Sequence, residues 1–353
     1  MSASRLAGRL GRIRNMQQNA SRTAEAESGG MVSPEQKPPS SLPGWMDHQG
    51  AYFERAIDLR VPEYRPHLSS LFPLLFPAER EILEIPTFIS GLSNKLVFFD
   101  LETTGLSHGS GTVAFMAALG FLRDNDILSV HQLILTDYPG ETLFLGRIAE
   151  LTSGIQAACS FNGKCFDSQI LITRFLMNAM KPVLSGPALV HLDLLFPSRR
   201  IWKDRFESCR LQVLEQGVLS FFREDDLPGS EAPEAWFSFI ERGETDRLLK
   251  IADHNRDDCL SLARLFYRLD QAIERGEDRA ALIRAVELRR NGRYAEASVF
   301  LRALSEAGNP LAMRLLAIDL EHRLLDLGEA RELARRLGDE KRLERIERKG
   351  RGR

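Results

Sequence analysis

The sequence predicts an α/β domain followed by a smaller, all-helical region. Leu96 to Phe99 is an unbroken apolar and aromatic run that ends in charge, the pattern of a strand buried on both faces. The segments after it alternate between strand and helix patterns to about residue 193, as in an α/β fold, and mainly helical segments follow. Beyond Glu277 the composition turns to Ala, Leu, Arg and Glu with no strand signal. The 353 residues leave room for two or three domains of roughly 100–200 residues each.

Residues 1–45 mix Ser, Gly, Pro, Gln and charge, and bury too little apolar surface to offset chain entropy. They predict a disordered segment, basic because Arg5, Arg9, Arg12, Arg14 and Arg22 precede the first acid, Glu25. Residues 46–89 regain apolar side chains between prolines, which predicts an irregular lead-in packed on the core. The core domain spans 90–275. Its strand at 95–102 is followed by a glycine-rich turn from Gly109, an apolar run to Leu122, a turn at Asp124–Asp126 and a third strand, Ile127–Leu135. These make a three-strand meander. Leu143, Phe144, Ile148 and Leu151 have helical spacing within 141–152. Ala157–Asn162 reads as a short strand ending in polar residues, and Asp167–Met180 as a strongly amphipathic helix. After Val190–Asp193 come mainly helical segments. Arg223–Pro233 is a polar loop, Trp236–Arg242 a short helix and Asp246–Ala272 a long one.

Residues 277–348 form the helical region. Glu296-Ala297 recurs as Glu329-Ala330 and Leu304 as Leu337, close to the ~34-residue period of tetratricopeptide-like helical pairs. A plain helical tail with fortuitous alanine spacing is the alternative. The basic end from Lys341 to Arg353 reads as a solvated tail, or as an arm that touches phosphates.

Composition narrows the class. Hydrophobic residues are 43%, charged residues 27% and the net charge is -2, an ordinary soluble balance. No apolar run reaches the ~20 residues of a membrane span. The 4 cysteines, Cys159, Cys165, Cys209 and Cys259, form no C-x-x-C pair, which argues against structural zinc and a disulfide framework and for a reducing cytoplasm. Cys165, Cys209 and Cys259 read as small buried hydrophobes. The first 20 residues lack the apolar core of a secretory signal and superficially resemble an Arg-rich transit peptide. Gly109-Ser-Gly-Thr lacks the lysine of a phosphate loop, so a nucleotide-binding ATPase has no support.

Chemistry concentrates in three stretches. Asp100 and Glu102 are two apart, so on a strand both carboxylates emerge on one face. Like charges that close favour a hard cation between them, Mg²⁺ or Mn²⁺. The bland alternative ends the strand at Phe99 and makes 100–102 a solvated turn. Asp167 opens a helix after Gly163, where an N-cap is the alternative. Asp258 sits in mid-helix one turn after His254, with Asp257 as its rival. Beside a metal-bound water, His254 orients that water or accepts its proton; otherwise it is a satisfied histidine. Lys164 and Arg199-Arg200 stand as phosphate candidates or as solvated surface.

Taken together, Asp100-Leu-Glu102-Thr-Thr-Gly, Phe161-Asn162-Gly-Lys-x-Phe-Asp167 and His254-Asn255-x-x-Asp258 resemble the three motifs of the DEDD 3′→5′ exonucleases of the ribonuclease-H-like superfamily, and more narrowly the YprB-like domains of bacteria. His191-Leu-Asp193-Leu-Leu and Leu227-Pro-Gly-Ser-Glu-Ala-Pro233 share the resemblance, which covers about 90–270. It implies a ribonuclease-H-like mixed sheet flanked by helices, and a two-metal hydrolysis of single-stranded DNA or RNA. It implies that Asp100, Glu102, Asp167 and Asp258 hold two Mg²⁺ or Mn²⁺ ions, that Thr103, Thr104 and Asn162 lie at the substrate, and that His254 is catalytic. His254 stands three residues before the last Asp, where one subclass has Tyr and the other has its His one residue further away. A catalytically weak binding module, acting through nucleic acid or a protein partner, is the rival reading. The helical region is expected to pack on this domain or on a protein partner.

Overall fold

The computed structural model describes residues 41–351, except 85–90, 92–94, 106–110, 124–125, 187–188, 225–226 and 278. Of the segment expected to be disordered, 1–45, residues 1–40 lie outside the described residues, whereas Leu42 and Trp45 are buried in the core, which corrects that boundary; residues 109–110 and 124–125 of the two expected turns also lie outside.

Seven strands form one mixed sheet: β1 Met46–His48, β2 Tyr52–Arg60, β3 Leu96–Thr103, β4 Ala114–Arg123, β5 Ile127–Leu135, β6 Ala157–Ser160 and β7 Val190–Asp193. Their order is β1-β2-β5-β4-β3-β6-β7. β3, β4 and β5 are the antiparallel meander, and β6 and β7 extend it in parallel from β3. One expectation is corrected here. The supposed irregular lead-in, 46–89, supplies β1 and β2, and β2 pairs with β5 along its whole length. Beyond Glu54, itself buried, the residues of β2 alternate between half-buried and exposed, so the apolar signal of a buried strand is absent.

Alternation along β3 divides the core. Val97, Phe99 and Leu101 join Phe144, Phe175 and Trp236 on one face. That face is covered by α1 Glu141–Leu151, α2 Asp167–Met177 and, further along the chain, a helix at Ala232–Arg242. Leu96 and Phe98 join Trp202, Leu265 and Phe266 on the other. There the cover is α3 Leu195–Trp202 and the long helix that follows α4 Ala232–Arg242, namely α5 Asp246–Arg275.

α5 serves both faces. Leu248, Ile251 and Ala252 pack in the first core, and Cys259, Leu262 and Ala263 in the second. The residues between, 254–258, are thereby carried past the end of β3. The helix lies close: a Cβ at Gly120 would stand 2.7 Å from Cys259 Sγ, so glycine on β4 permits the approach. Cys259 Sγ bonds the Phe98 carbonyl at 3.5 Å. Gly276, at φ +67°, ends α5 in the left-handed conformation that glycine adopts without strain.

Five further helices follow: α6 Ala280–Arg290, α7 Tyr294–Glu306, α8 Pro310–His322, α9 Leu327–Leu337 and α10 Glu340–Arg351. Leu301, Leu316, Leu320, Leu333 and Ile346 share a separate core. Ala297 and Ala330 are both fully buried, each the fourth residue of its helix. The Arg80–Glu287 ion pair, 2.8 Å, ties α6 to the sheet domain. No helix among the described residues is long and apolar enough to cross a membrane.

Candidate active site

β3 continues through Thr103, so Asp100 and Glu102 share the Phe98 face, beneath α5, and the solvated-turn alternative is set aside. A bulge follows between Glu102 and Thr103. Asp100 is held by Asn255, which is fully buried and donates Nδ2 to Asp100 Oδ2 at 2.8 Å. Asn255 Oδ1 in turn accepts from Gln132 Nε2 at 3.1 Å, and Gln132 Oε1 accepts from Arg55 Nε at 2.9 Å. A relay of buried amides thus runs from β2 through β5 and α5 to the carboxylate. Each member is satisfied, so the arrangement is rigid.

Asp167 is positioned by the turn that follows β6. Asn162 has φ +64°, left-handed backbone that asparagine tolerates better than most residues. Its N–H donates to Asp193 Oδ1 at 2.8 Å, Leu195 N–H to the same oxygen at 3.1 Å, and Lys164 N–H to Oδ2 at 3.3 Å. Asp193 therefore clamps the turn. Gly163 lies under Asp167, and a Cβ there would stand 2.8 Å from Asp167 Oδ2. The N-cap alternative does not hold: Asp167 is the first residue of α2 and no side chain caps that end. Beside it, His191 Nε2 lies 2.7 Å from Ser160 Oγ, and burial pushes the imidazole down to about 4.

His254 and Asp258 face the same space one turn apart, with Nε2 to Oδ2 3.5 Å. Asp257 turns instead to Arg256, at 2.8 Å. Arg223 lies behind the pair, almost fully buried, and grips the buried carboxylate of Glu215 through Nε at 2.9 Å and through Nη2. Its Nη2 also bonds Asp258, and its Nη1 lies 3.0 Å from His254 Nδ1. A guanidinium N–H only donates, so Nδ1 must accept, and the imidazole carries its proton on Nε2. Gly229, in the loop before α4, closes the site from above. A Cβ there would stand 3.6 Å from His254 Nε2 and 4.0 Å from the Glu102 carboxylate.

The electrostatics follow. Burial pushes Asp100 well above the usual carboxylate range, and Asp258, Glu102 and Asp167 push it further. Burial, with Asp193 and Asp258, raises Asp167 to about 7. Among the described residues no three His, Cys, Asp or Glu side chains stand at ready-made metal-holding spacing. The carboxylates are near enough to repel one another, and Asp258 also bonds Arg223. As chemistry the donor set fits a hard divalent cation: clustered carboxylate oxygens whose nearby cation, Arg223, is shared with Glu215.

The structure therefore brings Asp100, Glu102, Asp167, His254 and Asp258 to one place. The threonine hydroxyls serve the β3–β4 turn: Thr103 Oγ1 donates to the Gly105 carbonyl at 3.0 Å, and Thr104 Oγ1 accepts Val113 N–H at 3.0 Å. Cys165 corrects another expectation, being exposed where Cys209 and Cys259 are buried. Sequence reasoning missed Arg223, Glu215, Gln132 and the roles of Asn255 and Asp193. Two signals mark them: Glu215 sits at a core position of the 211–219 helical spacing, and Gln132 where Leu128 and Val130 put apolar side chains.

Residues 97–270 match a family model described as RNase_H superfamily. This stretch is an RNase_H superfamily domain. The chain is 36% identical over 182 residues to "Uncharacterized protein YprB" of Bacillus subtilis (strain 168), across 51% of this chain and 43% of that protein. It thus spans less than half the length of that relative. Solved structures with low similarity to this chain include a zinc-bound E. coli ExoI–ssDNA complex, 15% identical with a TM-score of 0.30 over 47% of this chain and 42% of that one. A product-bound exonuclease I is likewise 15% identical, with a TM-score of 0.30 over 47% and 44%.

Proposed function

We propose that this domain is a metal-dependent 3′→5′ exonuclease that hydrolyses phosphodiester bonds of single-stranded DNA or RNA. The observation that carries the reading is the convergence of Asp100, Glu102, Asp167 and Asp258 where α5 passes the end of β3, with Asp100 buried among the other three. Such a cluster is costly to fold unless it binds cations, and perturbed carboxylates of this kind mark functional sites. Asp100, Glu102, Asp167 and Asp258 are the residues that would hold two Mg²⁺ or Mn²⁺ ions. When bound, such ions supply Lewis acidity to an attacking water and to the leaving 3′-oxygen.

The chain's own residues do the rest. Asn255 and Gln132 keep the Asp100 carboxylate oriented, as supporting partners of a ligating group do. Asp193 fixes the turn that presents Asn162 and Asp167. His254 offers the site an N–H rather than a lone pair, because Arg223 occupies Nδ1. It therefore orients a water or a phosphate oxygen, and abstraction of a proton at Nε2 is excluded in this arrangement.

A second reading is a nuclease-like binding module. The observation that favours it is the Arg223 grip on Asp258, which already supplies that carboxylate with a cation. The test is degradation of 5′-labelled single-stranded DNA and RNA with Mn²⁺ or EDTA, by wild type and by the double variant Asp100→Asn, Asp258→Asn. A metal-dependent ladder shortening from the 3′ end, absent in the variant, supports the exonuclease. Intact oligonucleotide with every metal supports the binding module.

A further inference from the structure

Beside the carboxylates, on the same face of the sheet, runs a groove of about 730 Å³ between the turn after β6 and the segment after α3. Its walls include Phe161, Asn162, Arg199, Lys203, Phe206 and Arg210. The near end adjoins the candidate site through the chain: Asn162 precedes Gly163, where a Cβ would stand 2.8 Å from Asp167 Oδ2. At the far end Arg199 and Lys203 also line a second hollow of about 280 Å³ that reaches Arg279 and Leu282 of the helical region. Arg199 and Lys203 thus stand between the turn of Asn162 and the edge of α6, where Arg279 pairs with Asp204 at 3.3 Å.

The charge in the groove is unspent. Arg199, Lys203 and Arg210 are exposed, and no carboxylate among the described residues pairs with any of them. Glu207 is the only acid among the lining residues. Other cations close by are committed: Lys164 pairs with Glu79 at 2.9 Å, and Arg200 donates to the carbonyls of Leu74 and Leu75 at 2.8 and 3.1 Å. Unpaired cations beside aromatic side chains suit a single-stranded polynucleotide, whose phosphates need charge and whose unstacked bases need apolar surface. A folded protein partner would have to leave three cations buried or match them with acids, and a duplex would leave the aromatic wall without bases to meet.

We propose that this groove carries the single strand away from the carboxylate site, with phosphates along Arg199, Lys203 and Arg210 and bases against Phe161 and Phe206. The proposal rests on the nuclease reading for its direction, since it treats the carboxylates as the place of the terminal nucleotide. Its test is binding of 5′-fluorescein 12-mers of oligo(dT) and oligo(rU) to the full chain in EDTA, measured by anisotropy at several salt concentrations. The triple variant Arg199→Glu, Lys203→Glu, Arg210→Glu is expected to lose at least ~10-fold in affinity and to flatten the log–log salt slope by about 2, from ~0.7 per phosphate contact. The neutral triple Arg199→Gln, Lys203→Gln, Arg210→Gln is expected to lose less, in the same direction. Arg123→Glu, an exposed cation at the opposite end of β4, controls for the two-unit charge change of one such substitution away from the groove. Unchanged affinity and slope in both triples, or a loss matched by Arg123→Glu, overturns the groove while leaving the exonuclease reading untouched. Groove-dependent binding without cleavage in Mn²⁺ upholds the groove and removes the nuclease. Absence of any binding by wild type overturns the groove.

Discussion

At the scale of single residues, the state of His254 is set by a neighbour that does no chemistry itself. Arg223 is held by the Glu215 carboxylate and can give His254 Nδ1 only an N–H. His254→Gln preserves a donor near the position of Nε2, whereas His254→Ala removes it. On the proposed exonuclease reading, turnover is expected to fall by roughly 10²-fold in the alanine variant, with the glutamine variant recovering at least a tenth of the wild-type rate. Equal loss in both variants, with a pH profile missing one basic limb, would assign His254 as a base instead. Asp167 illustrates the cost of the site. Its ordinary pKa is 3.8 and its folded value about 7, so the folded state holds a proton that the unfolded state has released. Its contribution to stability is greatest below about pH 4 and is lost as pH rises through 7. In metal-free buffer Asp167→Asn is therefore expected to raise the stability at pH 8 by on the order of 1–3 kcal/mol, and by less at pH 5. Thermal melts at the two pH values check the sign.

At the scale of elements, α5 does the positioning. Its first turns belong to one core and its later turns to the other, so His254, Asn255 and Asp258 are delivered to the end of β3 by packing. The tight point is Gly120 against Cys259. Gly120→Ala is expected to cost ~1–3 kcal/mol by overpacking and to lower turnover by shifting Asp258. Adding Cys259→Ala, which removes the sulfur that the new methyl meets, is expected to restore most of both. A double variant no better than Gly120→Ala, in urea melts and in the exonuclease assay, would show that another contact sets the height of α5.

At the scale of the whole molecule, the clustered carboxylates make stability depend on what they bind. Cation binding requires deprotonated ligands, and binding to the folded chain alone stabilises it. Mn²⁺ at ~100-fold over its dissociation constant is expected to add about 2.7 kcal/mol at pH 8. The gain shrinks at pH 6, where Asp167 is largely protonated. The double variant Asp100→Asn, Asp258→Asn is expected to show none. An equal shift in that variant would place the cation elsewhere on the chain.

Much of the molecule was legible in the sequence. An unbroken apolar run marks β3, and period-2 and period-3.6 patterns mark β5, α2 and α5, because those elements bury defined faces. The acidic residues stood out because a carboxylate at the end of a buried strand has no cheap structural reason to be there. β2 escaped because a strand with one face open to solvent carries little apolar signal. Arg223, Glu215 and Gln132 escaped as a network because polar residues announce their burial only through partners distant in sequence: Gln132 and Asn255 are 123 residues apart. By itself the sequence determined the kinds of element, their order and the acids available, since these depend on local periodicity and on composition. Only the tertiary structure decided which acid faces which, which nitrogen of His254 carries the proton, and where unpaired cations line up beside the site. Those are matters of distance through space, and the chain order does not contain them.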